Sequence, residues 1–136
     1  MTTATLKNSR HAAIALWSIQ ILLAALFLFA GGMKLVMPIA AMTQQTPLPG
    51  FVLRLIGVIE FAGGLGLVLP GLLHLRSVLT PLAAVGLVLV MSGAVAITLT
   101  TPNAASAIAP LIVGVLLVVV ALGRLVIPTS TVRRAY

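Results

Sequence analysis

Four apolar runs, each about 20 residues long or slightly more, fill most of this chain, and that is the length a helix needs to cross a bilayer. They cover residues 14–36, 50–69, 77–99 and 104–127. The first reads "IALWSIQILLAALFLFAGGMKLV" and the third "SVLTPLAAVGLVLVMSGAVAITL". Within the hydrocarbon no water is available to pair backbone N–H and C=O groups, so each run must be a helix. Composition agrees. Of 136 residues, 61% are hydrophobic and 7% charged, where a soluble domain carries about a quarter charged. A chain this small cannot cover such a surface with polar groups, so lipid has to cover it. The expected architecture is all-α: an integral membrane four-helix bundle, one domain over residues 1–136.

Proline marks most joints. Pro38, Pro47 and Pro49 stand around the first connection, Pro70 is expected to end the second span, and Pro102 and Pro128 flank the fourth. A proline at a helix end removes no needed hydrogen bond. Pro81 falls in the first turn of the third span, whereas Pro110 is expected inside the fourth, where it would kink it. The first connection is the longest and has room for a short interfacial helix, "IAAMTQQ". The connections "PGLLHLR" and "TTPNAA" are short, so neighbouring spans run antiparallel. With four spans, Lys7, Arg10, Arg76, Arg124, Arg133 and Arg134 fall on one side, which places both termini in the cytoplasm by the positive-inside rule. Lys7 and Arg10 also suit the start of a secretory signal, but the apolar run that follows is too long for one.

The chain contains one acid, Glu60, in "RLIGVIEFAGGLGLVLPG". An ionised carboxylate at mid-span costs roughly 2.5–3.5 kcal/mol on insertion scales, so it is either protonated or paired. On a helical projection Glu60 shares a face with Leu53, Gly57, Gly63, Gly64 and Leu67. A glycine-lined face lets another helix approach closely, and Ala62 and Gly66 add a small-xxx-small spacing. Glu60 therefore belongs on the inward face of the second span. Two cations are candidates to meet it. Arg54 is six residues earlier on the same helix, about 9 Å along the axis and about 120° round it, a poor position for a direct pair. Lys34 follows Gly31 and Gly32 near the end of the first span, which an antiparallel neighbour brings beside the start of the second. Two readings stay open for each residue. Lys34 and Arg54 either snorkel to headgroups or join the carboxylate. Glu60 either fixes packing through a neighbouring helix, or meets a ligand headgroup or moves a proton.

Other polar residues carry weaker signals. Ser18, Gln20, Ser92 and Thr98 are the kind that bond backbone within a membrane bundle. Trp17 suits an interfacial belt, and the methionines suit packing. There is no cysteine, and His11 and His74 lie outside the apolar runs, so neither a metal cluster nor bis-histidine haem ligation is expected. The net charge is +7. Its basic residues are scattered toward span ends, which suits lipid headgroups and topology, not nucleic acid.

The segments "FLFAGGMKLVMP", "PGFVLRLIGVIEFAGGLGLVLPGL" and "LTPLAAVGLVLVMSGA" resemble the DoxX-like family of small bacterial membrane proteins over residues 17–94. The residues that carry the resemblance are Gly32, Lys34, Leu35 and Pro38, then Arg54, Gly57, Glu60, Gly63 and Gly64. It implies a four-helix membrane bundle in the bacterial cytoplasmic (inner) membrane and no secure catalytic role. The family name derives from a membrane subunit linked to thiosulfate:quinone oxidoreductase. The leading expectation is a non-catalytic accessory or assembly subunit, packed against a partner membrane protein or a second copy. The helix-packing set would be Gly31, Gly32, Gly57, Gly63, Gly64 and Gly66. The alternative is a binder of a lipophilic small molecule such as a quinone, with Glu60, Lys34 and Arg54 at its head, or the membrane subunit of a quinone-linked oxidoreductase. In that case a quinone or a partner must supply the redox group, since this chain has no ligands for one.

Overall fold

The structure is a computed structural model that describes residues 3–76 and 78–126. Arg133, Arg134 and Pro128 lie outside the described residues. The chain forms α1 (Thr3–Val36), a short α2 (Ile39–Thr43), α3 (Gly50–Leu72), α4 (Leu79–Leu99) and, after a 3-10 turn at Ala104–Ala107, α5 (Ile108–Val126). Among the described residues four helical stretches are long and apolar enough to cross a membrane: Arg10–Val36, Gly50–Leu72, Leu79–Leu99 and Ala104–Val126. The fold is an all-α four-helix membrane bundle, and the chain is a multi-pass membrane protein.

Local chemistry sets the boundaries. Pro38 caps α2 and Pro49 caps α3, both in extended conformation, with ψ of 139° and 149°. Extended backbone at these residues ends one segment before the next helix begins. Pro70 departs from the expectation that it stops the second span, because α3 runs on to Leu72. A proline this close to the C-terminus removes one ladder bond. Its own carbonyl still accepts from the Leu75 N–H at 2.9 Å. That bond closes the helix across His74, whose φ of 57° is the left-handed conformation of a Schellman-type cap. Pro110 also differs from expectation. The 3-10 turn delays α5 to Ile108, so Pro110 stands in its first turn, where no N–H is required.

The spans pack in the cyclic order α1, α3, α4, α5, and α5 returns to touch α1. The core holds Leu23 and Phe27 of α1, Leu67 of α3, Leu87 of α4, and Leu117 and Val120 of α5. Outward positions are the reverse of a soluble protein: Phe51 is 73% exposed, Leu89 71% and Phe29 69%. In lipid such side chains need no further cover.

Helix α3 lies between α1 and α4, and its glycines serve both contacts. A Cβ at Gly57 would sit 2.8 Å from Lys34 Cβ, and one at Gly64 would sit 3.2 Å from the Ala24 carbonyl, both on α1. On the other flank, Cβ atoms at Gly63 and Gly66 would meet Leu87 and Ala83 of α4 at 2.6 and 2.7 Å. Gly31 of α1 faces α3 backbone directly: a Cβ there would sit 2.6 Å from the Phe61 nitrogen and 2.7 Å from the Gly57 carbonyl oxygen. Gly32 does not join this packing: among the described residues, a Cβ there meets nothing within 4 Å. It is one residue, about 100°, round the helix from Gly31 and turns away from α3.

This contrast yields a prediction. Gly31→Ala forces α1 off α3 and lowers stability by about 1–3 kcal/mol. Gly32→Ala is neutral or slightly stabilising, since alanine is the better helix former. Unfolding of the two variants by denaturant titration in detergent micelles checks the difference.

Candidate functional site

The buried positions of α3 are Leu53, Gly57, Glu60, Gly64, Leu67 and Pro70, a spacing of three and four that marks one face. Glu60 lies on that face near mid-helix, and its side chain is 4% exposed. The antiparallel packing of α1 against α3, allowed by Gly31 and Gly57, brings the end of α1 alongside. Lys34 Nζ donates to Glu60 Oε2 at 2.6 Å. The lysine side chain is 31% exposed, so the pair is closed at its acidic end and open at its basic end.

Arg54 does not reach the carboxylate. Its Nη1 donates to the backbone carbonyl of Lys34. That carbonyl belongs to the last turn of α1, where intrahelical donors run out and a cation also suits the helix dipole. Arg54 thus caps the helix that carries Lys34 and fixes the lysine's backbone against α3. The three residues form one chain of contacts: Arg54 to the Lys34 backbone, the Lys34 side chain to Glu60.

A second polar cluster occupies the opposite end of the bundle. Gln20 is fully buried and its Nε2 donates to the Leu67 carbonyl of α3 at 2.6 Å. Arg124, 2% exposed, donates through Nε to Gln20 Oε1, and its guanidinium lies 5.3 Å from the centroid of the Trp17 ring. The cluster joins α1, α3 and α5. Sequence reasoning gave Gln20 a minor packing role, took Arg124 as a topology charge, and placed Trp17 in an interfacial belt. The signal was present in the spacing. Leu16, Gln20, Leu23 and Phe27 share one face of α1, and Leu117, Val120 and Arg124 share one face of α5. Ser18, Ser92 and Thr98 each bond the carbonyl four residues earlier on their own helix.

Among the described residues, two open apolar grooves lie on the outside of the bundle. One, about 520 Å³, runs between α3 and α4; the other, about 340 Å³, runs between α4 and α5 and includes Ser92. Neither is lined by Glu60, Lys34 or Arg54. Among the described residues no group of three or more His, Cys, Asp or Glu side chains could hold a metal ion.

The ion pair is asymmetric, and its variants are expected to differ. Lys34→Met strands a carboxylate in the interior and costs about 3 kcal/mol. Glu60→Gln leaves a lysine that can turn toward the headgroups, and costs about 1 kcal/mol. Lys34→Met combined with Glu60→Leu recovers most of the loss, because no charge then remains inside. A double-mutant cycle on unfolding free energy measures the coupling.

Neither a curated protein nor a solved structure matches the chain. A family model does, that of the DoxX-like family, over residues 18–120. This span takes in Lys34, Arg54, Glu60 and every packing glycine described above, and stops short of Arg124. A four-helix membrane bundle with its one acid paired between the first two spans, matched over most of its length by this model, belongs to the DoxX-like family.

Proposed function

We propose that the protein is a non-catalytic accessory or assembly subunit in the bacterial cytoplasmic membrane. The observation that supports this most is that five embedded side chains, Lys34, Glu60, Arg54, Gln20 and Arg124, are bonded within the bundle. Glu60 is bonded to Lys34, Arg54 to the end of α1, and Gln20 to Leu67 and Arg124. Side chains engaged in this way hold helices together and are not poised for proton transfer or nucleophilic attack, which need a group directed at a substrate. What the bundle offers to its surroundings is an apolar exterior, available to another membrane protein or a second copy. The distribution of basic residues favours cytoplasmic termini.

Site-specific photo-cross-linking in native membranes tests the reading. Cross-linkers are placed at Phe51, Leu89 and Val115, exposed positions on α3, α4 and α5. The expected result is one protein adduct of defined mass from one face. Lipid adducts alone from all three faces would show that the bundle stands by itself in the membrane and would remove the accessory role.

One observation favours a second reading, a binder of a lipophilic molecule such as a quinone, either free or as part of a quinone-linked oxidoreductase. The Lys34 side chain remains 31% exposed beside the buried acid, so a polar head arriving from the membrane interface has a cation to meet. Native mass spectrometry with added quinone decides it. Occupancy of one quinone per chain, lowered at least several-fold by Glu60→Gln, supports binding at this pair. Equal occupancy in wild type and variant removes the pair from any ligand site.

A further inference from the structure

The groove between α3 and α4 does not draw on the Lys34–Glu60 pair, and its shape indicates what fills it. Its walls include Ile59 and Gly66 of α3 and Gly86 and Leu87 of α4, and its loop end is formed by Leu75 and Leu79. All of its lining residues are apolar. Depth comes from the glycines, which keep side chains out of the seam. On α3 it extends from Ile59 to Pro70, and on α4 from Leu79 to Leu87, so it is about 12–17 Å long at the rise of an α-helix. The hydrocarbon core is about 30 Å thick. The groove therefore covers about one leaflet, beginning at the α3–α4 connection and ending near mid-membrane.

That length separates two occupants. A transmembrane helix from a partner or a second copy crosses the full thickness and would use a seam that continues to the other side. An acyl chain occupies one leaflet. The mouth supplies the second half of the argument. Arg76 is exposed in the connection, between Leu75 and Leu79, and Arg10 lies exposed at the same end of the bundle. The one acidic side chain in the sequence is bonded to Lys34 toward the other end, so no acidic side chain stands at this mouth. A cation above an apolar, leaflet-deep groove is complementary to a phosphate headgroup with its chain below.

We infer that the α3–α4 groove is a binding site for an anionic phospholipid, one acyl chain lying along Gly66 and Gly86 and the headgroup resting on Arg76.

Gly86 provides a clean plug. Among the described residues a Cβ there meets nothing within 4 Å, so Gly86→Leu extends into the groove and not into its neighbours. The purified protein is reconstituted into vesicles of equal parts phosphatidylglycerol and phosphatidylcholine with matched chains. It is then extracted in mild detergent, and its retained lipids are counted by native mass spectrometry. Wild type is expected to retain one lipid, phosphatidylglycerol in preference. Arg76→Gln is expected to lower that preference about fivefold while a lipid is still retained. Gly86→Leu is expected to lose the retained lipid of either headgroup with an unchanged or higher unfolding midpoint. Leu82→Trp, at a groove position 63% exposed, is a second plug that leaves the helix seam untouched and is expected to give the same loss. Unchanged preference in Arg76→Gln would overturn the headgroup assignment. Full lipid retention in both plugs, or conversion of a dimer to a monomer by either, would overturn the site, the latter by showing that a second copy fills the groove.

Discussion

The bundle depends on one constraint: a carboxylate placed in hydrocarbon must be neutralised from within. Lys34 does this from the preceding span, at 2.6 Å from Glu60. The contact requires that α1 and α3 approach closely at this level. Gly31 and Gly57 make that possible, since a Cβ on either would collide with the facing helix. The glycines and the ion pair are therefore one device. Without the glycines the lysine stands too far away, and without the pair the close seam holds a stranded acid. Arg54 completes it by capping the carbonyl of the residue that carries the ammonium group, so the backbone as well as the side chain of Lys34 is tied to α3.

The second polar cluster solves a different problem. Association of helices in lipid gains no hydrophobic free energy and relies on packing and interhelical hydrogen bonds. The Lys34–Glu60 pair ties α1 to α3 at one end only. Gln20 and Arg124 tie α1, α3 and α5 at the other, and they close the ring where α5 meets α1, the seam with the fewest close neighbours. A glutamine suits the centre of this cluster because its amide donates and accepts at once. It gives a hydrogen bond to the Leu67 carbonyl and takes one from Arg124. Burial of a guanidinium is tolerable there because Trp17 covers its face and the C-terminal end of α5 supplies a favourable dipole.

Much of this was legible in the sequence. Apolar run length gave the four spans, because the bilayer fixes how long a helix must be. Periodicity placed Glu60 on the glycine face of α3, and antiparallel topology singled out Lys34 over Arg54 as the residue able to reach it. What was not legible depends on rotation and on neighbours. Gly31 and Gly32 are adjacent letters, yet only Gly31 meets another helix. Gln20 and Arg124 are 104 positions apart, so their contact is visible only once α5 is known to return beside α1. Arg124 also carries the ordinary signature of a topology charge, which hid its inward orientation. Pro70 and Pro110 were displaced by a turn because each helix end was settled by caps and a 3-10 turn that hydropathy does not record.

The charge distribution connects the interior to the surroundings. Eight basic side chains face a single acidic one. The interior absorbs that acid with Lys34 and engages Arg54 and Arg124 with oxygen acceptors. Arg10 and Arg76 remain exposed at the end where the α3–α4 groove opens. A bundle whose Glu60, Gln20 and Arg54 side chains are already bonded internally has two means left to recognise a partner: its apolar flanks and its cationic rim. Partners that combine a hydrocarbon body with an anionic head match both together, whereas a soluble anion matches only the rim and a neutral apolar helix only the flank. On the reading proposed above, recognition falls to the membrane-facing surface, where the geometry of each groove, leaflet-deep or spanning, decides what can lie in it.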